Sequence, residues 1–214
     1  MPGSEAASGG RRAKAAQTEV ALKEAARRIF ATRGYTEAKI SDITTEAQRS
    51  VGSFYKHFDG KDQVLQALLV DWLTEAGDEL ATSDVGDDLS SRPALRARVA
   101  AYWYTYRAHL AEIRALREAA LGNPVFAEQL ARIRHAQLHT MRDHLTHLQE
   151  AGYRLAGDPA VVASAFNALL EGFCSAWIGG TGEPIGRALG DDEAIDTLTD
   201  LLHRGLASRA GTKK

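Results

Sequence analysis

Apolar residues recur along this chain with a period of three to four and almost nowhere with a period of two. Leu22, Ala25, Ala26, Ile29 and Phe30 fall at i, i+3, i+4, i+7 and i+8, which lines one face of a helix over about 18–33. Gly34 follows where a helix C-cap takes a left-handed residue, and Tyr35 is placed to fold back onto the helix end. Ile40, Ile43 and Ala47 mark the inner face of a shorter second helix; Val51, Phe54 and Phe58 mark that of a third, over 51–57. These faces predict a three-helix core centred on Ile29, Phe30, Ile43 and Phe54.

The fourth helix, over about 61–81, has a broad apolar face of Val64, Leu65, Leu68, Leu69, Trp72 and Leu73, suited to a mechanical link between that core and the rest. A polar loop is expected over 83–91. Beyond it, Pro93 sits in a first turn and Leu95, Val99, Tyr102, Trp103, Tyr106 and Leu110 share a face. A shorter segment runs through Ile113 and Leu116. Asn123-Pro124 and Asp158-Pro159 each pair an N-cap residue with a proline at the first helical position. The first starts a long helix carrying Phe126, Leu130, Ile133, Leu138, Met141, Leu145 and Leu148 to Gly152. The second starts a helix that is apolar nearly all round. A glycine-rich loop over 179–186 precedes a last helix with Ile195, Leu198, Leu201, Leu202 and Leu206. The pattern predicts an all-α chain of about nine helices, without strands or internal repeats.

A helix apolar on every side needs a second surface to cover it, and a two-fold partner copy is the economical one. Val162, Phe166, Leu169 and Phe173 on it, with Leu198 and Leu202 on the last helix, are the expected homodimer contacts. A central helix enclosed by its own chain is the alternative.

Charge divides the chain. The 214 residues sum to −2, but 11–61 hold 11 Lys/Arg against 6 Asp/Glu, while 62–214 are net −6. A basic quarter on an acidic body is the asymmetry expected when one end approaches phosphate. Residues 1–17 have no apolar period and are expected to be a disordered arm, in which Arg11, Arg12 and Lys14 are available to phosphate or simply solvated. Cys174 is the only cysteine, which rules out an intrachain disulfide and a Cys-rich zinc site. No apolar run approaches the roughly 18 residues of a membrane span, and the N-terminus lacks the apolar core of a secretory signal, so a cytoplasmic address is expected.

The chemistry concentrates in 41–61. A short helix with small residues at its start brings its N-terminus close to a groove. Ser50 is placed to cap it, Gly52 has no side chain to meet a phosphate or base edge, and Ser53 is placed to donate to either. Arg33-Gly34-Tyr35, Asp42-Ile43, Gly52-Ser53-Phe54-Tyr55, His57-Phe58 and Gly60-Lys61 together resemble the N-terminal domain of the tetracycline-repressor (TetR) family of transcriptional regulators over residues 18–65. The resemblance implies an N-terminal helix-turn-helix domain over 18–61 and a helical ligand-binding and dimerisation domain over 62–214. It also implies a repressor that binds a palindromic double-stranded operator as a homodimer and is released by a small-molecule effector.

The positions expected at DNA are Lys39, Gln48, Arg49, Ser50, Val51, Gly52, Ser53, Tyr55, Lys56, His57 and Lys61. Of these, the resemblance puts Tyr55 and Lys56 on the DNA backbone and makes Lys61 a phosphate clamp. Three positions depart from the family. Gln48 and Arg49 replace a glycine and a small apolar residue in the turn, so Gln48 must take the turn's backbone geometry at some strain and Arg49 should point outward. Ala38 replaces the usual N-cap threonine of the second helix.

The resemblance implies an effector pocket among the middle helices, with Tyr102, Trp103, Tyr106, Phe126, His139, Met141, Phe166 and Trp177 as candidate lining; a packed core uses the same residue types at the same spacing. Four histidines, His135, His139, His144 and His147, crowd the long helix, and the i, i+4 spacing of His135 and His139 suits a metal on one face. A metal-responsive regulator is therefore one alternative. An all-helical enzyme and a pure protein-interaction bundle are others, although no nucleophile triad, phosphate loop or dinucleotide fingerprint supports an enzyme and no cofactor is expected.

Overall fold

A computed structural model describes the backbone of residues 3–82, 89–180 and 187–209 and the side chains of 13–74, 89–180 and 187–205. Among these residues the chain forms nine α-helices, α1 (Gly3–Glu37), α2 (Ile40–Glu46), α3 (Val51–Phe54), α4 (Lys61–Thr82), α5 (Arg92–Ala108), α6 (Leu110–Gly122), α7 (Pro124–Glu150), α8 (Pro159–Trp177) and α9 (Asp191–Leu206). Two three-residue strands, β1 (Tyr153–Leu155) and β2 (Ala207–Arg209), pair antiparallel. The all-α class holds, and this short ladder is the one element that periodicity did not predict: three residues are too few to show a period of two.

The chain divides into two compact units, Met1–Ala81 with Ala111–Glu128, and Thr82–Leu110 with Gln129–Lys214. The core of the first is built from Leu22, Ala25, Ala26 and Phe30 of α1, Ile43 of α2, Phe54 of α3, and Val64, Leu65, Leu68 and Leu69 of α4, with Phe58 between the last two helices. Ala115, Leu116, Ala119 and Phe126 complete it. Two expected members are displaced from this core. Ile29 is only half-buried, and Val51 is 47% exposed because Phe54 and Phe58, spaced i, i+4, carry the inner face alone. Ala38, at the position where the family has its N-cap threonine, is buried, and Lys39 takes the cap position, its N–H donating to Asp42 Oδ2 at 3.1 Å.

Helix α1 reaches back to Gly3, well before the start that the apolar period marks. Alanines at 6, 7, 13, 15 and 16 have the highest intrinsic helix propensity. The side chains of Arg11 and Arg12 lie outside the described residues. Gly34 breaks the helix with φ 76° and ψ 165°, a backbone region open essentially to glycine. A Cβ there would also stand 3.0 Å from the Glu118 carboxylate, which accepts the Thr36 N–H at 3.0 Å. Helix α6 thus ties down the end of α1 within this unit. Arg27 of α1 does the same at another point, donating at 2.6 Å to Glu112, whose side chain is fully buried.

In the second unit α5 packs on α8 and α9, around Leu95, Val99, Trp103 and Tyr106 of α5, Ala163, Phe166, Leu170 and Cys174 of α8, and Ile195, Leu198 and Leu202 of α9. An ion-pair ladder runs along the α5–α9 seam: Arg92 to Asp200 at 2.8 Å, Arg96 to Asp196 at 2.8 Å and Asp192 at 2.9 Å, and Arg107 to Asp191. The helix starts are capped as their sequences imply, Asn123 Oδ1 accepting from Val125 N and Asp158 Oδ1 from Ala160 N. Most of the expected loops over 83–91 and 179–186 lie outside the described residues.

Helix α8 is more apolar than its sequence pattern suggested. By length and composition it is apolar enough to cross a membrane, contrary to the expectation that no stretch approaches a span. It belongs to the helical core of this unit through its buried residues, and its remaining face is exposed.

Candidate nucleic-acid interface

The turn between α2 and α3 is built from the end of one helix and the cap of the next. Gln48 N donates to Thr45 O at 3.1 Å and Arg49 N to Thr44 O at 2.9 Å. This is a Schellman closure with Gln48 at the position that usually needs glycine. Gln48 accordingly has φ 53°, the one positive φ outside glycine among the described residues. The next cap begins two residues later, where Ser50 Oγ accepts from Ser53 N at 3.1 Å. Helix α3 is shorter than its apolar spacing suggested. After Phe54 the Lys56 and His57 N–H groups bond three residues back, at 3.3 and 2.9 Å, a tighter turn than an α-helix makes.

This construction brings most of the expected DNA positions onto one exposed surface. Lys39, Gln48, Arg49, Ser50, Val51, Gly52, Tyr55 and Lys56 are exposed, while Ser53 and His57 are half-buried. Tyr55 is 55% exposed and leans edge-on against the buried Phe54, with ring centroids 5.5 Å apart. Gly52 needs no special backbone angle, and a Cβ there would meet nothing closer than Ser50 Oγ at 4.0 Å. The fold itself does not ask for glycine at this position.

The charges sort in the same way. Between Thr18 and Gly60, Lys23 pairs with Asp71, Arg27 with Glu24 and Glu112, Arg28 with Glu46, and Arg33 with Asp42. Lys39, Arg49 and Lys56 have no carboxylate partner among the described residues, and all three lie on the α2–α3 surface. Over this stretch, positive charge is paired with carboxylates everywhere except there.

Lys61 has a different occupation from the phosphate clamp expected of it. Its ammonium donates to the carbonyls of Tyr35, Thr36 and Ala38 at 2.8, 3.0 and 3.3 Å and lies 4.6 Å from the Tyr35 ring centroid. All three donors are therefore used inside the protein. Tyr35 in turn donates to Asp62, and burial together with that bond pushes its hydroxyl pKa up. Asn123 also donates to Asp62, at 3.1 Å. Glu112, Glu118 and Asn123 support α1 and its corner with α2 from about 60–85 residues away along the chain. Nothing local in the sequence marks them for this.

The proposed lining residues divide between the units. Phe126 packs in the first unit, its ring 6.3 Å from that of Tyr35, and is not with the others. Trp103, Tyr106, Met141 and Phe166 are buried in the second, with Tyr102, His139 and Trp177 half-buried. Trp103, Phe173 and Trp177 stack in series at 6.0 and 6.1 Å, and Trp103 Nε1 donates to Asp191. Three of the expected dimer contacts, Phe166, Leu198 and Leu202, face this core and are not surface, because α8 and α9 pack on α5 through them. The exposed stripe of α8 is instead Val161, Ser164, Ala165, Ala168, Leu169 and Gly172, at i, i+3, i+4, i+7, i+8 and i+11. On α9, Leu201 is 57% exposed.

The family model for bacterial regulatory proteins of the tetR family matches residues 22–68. The HTH-type transcriptional regulator TtgR of Pseudomonas putida is 39% identical over 75 residues, a match spanning 35% of each chain. Solved structures share the fold over much more of the chain. A bacterial regulatory protein in the tetR family from Rhodococcus RHA1 superposes with TM-score 0.70 at 19% identity, covering 89% of this chain and 98% of that one. AibR, solved in complex with isovaleryl coenzyme A and operator DNA, superposes with TM-score 0.68 at 19% identity, covering 88% and 99%. Residues 22–68 thus match the N-terminal domain of the bacterial regulatory proteins of the tetR family, and the solved structures share the helical fold over most of the chain.

Proposed function

We propose that this chain is a cytoplasmic, ligand-responsive transcriptional regulator, a repressor rather than an enzyme. It binds double-stranded operator DNA as a homodimer through residues 18–61 and is released by a small molecule held in 62–214. The carrying observation is the isolation of three cations without carboxylate partners among the described residues, Lys39, Arg49 and Lys56, on the α2–α3 surface that also presents Gly52 and Tyr55. Phosphate is the natural partner for such a surface, and the N-terminus of α3 gives it a way into the major groove. AibR, with the same fold, is solved with both operator DNA and a ligand, which supports a two-site reading here. Two-fold pairing would set the recognition helices roughly 34–36 Å apart for successive major grooves. The effector would act only by as much as it prefers the state that does not bind DNA.

The test is affinity for a duplex enriched from a random library, against a scrambled duplex, measured across salt. Wild-type affinity is expected to fall steeply with salt. Replacing Lys39 and Lys56 by Met should weaken both duplexes alike and reduce the log–log slope by about 1 for each phosphate left without its cation. Arg49→Ala should chiefly erase the preference between duplexes, by about 1–3 kcal/mol if it reads a guanine. Salt-independent binding, or none to any duplex, overturns the proposal.

A further inference from the structure

Helix α7 carries a pair of imidazoles outside the DNA surface, one of which, His139, is also among the candidate effector lining. His135 and His139 are one turn apart, and their Nε2 atoms approach to 2.7 Å, with ring centroids 4.2 Å apart and planes at 63°. His135 is exposed and His139 half-buried, so the pair lies at the surface of α7. Two ring nitrogens at this distance have two ways to coexist. One donates its proton to the other, or both present lone pairs to a shared cation.

We propose that His135 and His139 form a two-nitrogen chelate for a divalent transition-metal ion, tightest for Cu(II), with Ni(II) and Zn(II) weaker. A metal bound at about 2.0–2.1 Å from each nitrogen needs them about 2.9 Å apart at a right angle and about 3.3 Å apart at a tetrahedral one. The observed pair has to open by only a few tenths of an ångström, a small rotation about the side-chain torsions of two residues already on one helix face. Imidazole nitrogens suit copper, nickel and zinc, and among these the affinity order favours copper.

Among the described residues no third His, Cys, Asp or Glu closes a cluster around the pair, so water fills the remaining positions. Asp143, one turn beyond His139, is ion-paired with Arg142 and is not part of the pair. Its carboxylate accepts from Arg142 at 2.7 Å, which holds its pKa below the usual range, and the nearby His139 and His147 depress it further. His144 is engaged differently, 3.2 Å from Arg98, and is not part of the pair.

The test is titration of the full-length chain with Cu(II), Ni(II) and Zn(II) separately, in a buffer that does not chelate. One equivalent of Cu(II) is expected to bind with an electron-paramagnetic-resonance spectrum showing two nitrogen ligands, a readout that needs no variant. His135→Ala and His139→Ala should each weaken that equivalent about a hundred-fold by removing the chelate's effective concentration, while His147→Ala leaves it in place. Circular dichroism of each variant establishes that α7 is still helical. A spectrum with one nitrogen, no binding, or loss in His147→Ala with retention in His139→Ala would overturn the assignment. DNA binding does not enter this readout, so its outcome is independent of the regulatory reading.

Discussion

Gly52 and Gln48 have exchanged the roles usual for their residue types. Gln48 holds φ 53° where glycine would sit without strain, and Gly52 occupies ordinary helix where glycine is a burden. An L-residue in the left-handed region costs about 1–2 kcal/mol, and a helical glycine about 0.5–1 kcal/mol relative to alanine. Gly52→Ala should therefore raise stability in urea by up to about 1 kcal/mol while weakening duplex binding, because the added methyl points into open space that DNA would occupy. Higher stability with unchanged binding would show that the α3 N-terminus does not approach DNA closely. The strain at Gln48 was legible in the sequence, since the Schellman turn demands that angle of whichever residue stands there. The exposure of Val51 was not, because a four-residue helix is too short for a periodic pattern to distinguish its faces.

At the scale of elements, side chains tie helix ends together. The Lys61 staple joins the start of α4 to the α1–α2 corner, and its removal should act on folding rather than on phosphate. Lys61→Met retains most of the aliphatic stem and removes the charged donors, so it should cost about 1.5–3 kcal/mol in urea. Duplex affinity at matched folded fraction should keep the wild-type salt slope; a slope smaller by about 1 would restore the phosphate clamp. The α5–α9 ladder makes a second prediction. Arg107 foremost, then Trp103, holds the pKa of Asp191 below its ordinary value. A depressed folded-state pKa contributes stability that is fully present above the unfolded value of about 3.9 and is lost as pH falls through the folded one. Asp191→Asn should therefore destabilise the chain near neutrality, and its deficit should shrink as acid titrates the wild-type carboxylate. A gap that stays constant down to about pH 2 would contradict this. Helix starts such as Asp158-Pro159 could be read from local sequence. These inter-helix ties could not, because partners 84–108 residues apart leave no local signature.

At the scale of the whole molecule, the proposed pairing turns on which face of α8 remains uncovered. Mean apolarity alone could not choose among Phe166, Leu169 and Phe173, since a helix apolar all round has no polar face to orient it. Packing makes the choice: Phe166 turns inward, Phe173 stacks on Trp103, and the stripe from Val161 to Gly172 stays exposed, with small residues at Ser164, Ala165 and Ala168. Small side chains let a partner helix approach closely, and Leu169 and Val161 give the stripe its large exposed apolar groups. If the chain pairs through this face, Leu169→Glu places two carboxylates near the two-fold axis without disturbing either protomer's core. On the order of 3 kcal/mol of pairing free energy should be lost, about a hundred-fold in the dimer dissociation constant. Sedimentation at micromolar concentration should then show a folded monomer with normal helix content, and the two-half-site duplex should lose far more affinity than a single half-site. Phe166→Glu is the contrasting variant: it buries a charge inside one protomer and should unfold the chain instead. A Leu169→Glu protein that remained dimeric and bound the full duplex normally would place the two-fold contact on another surface.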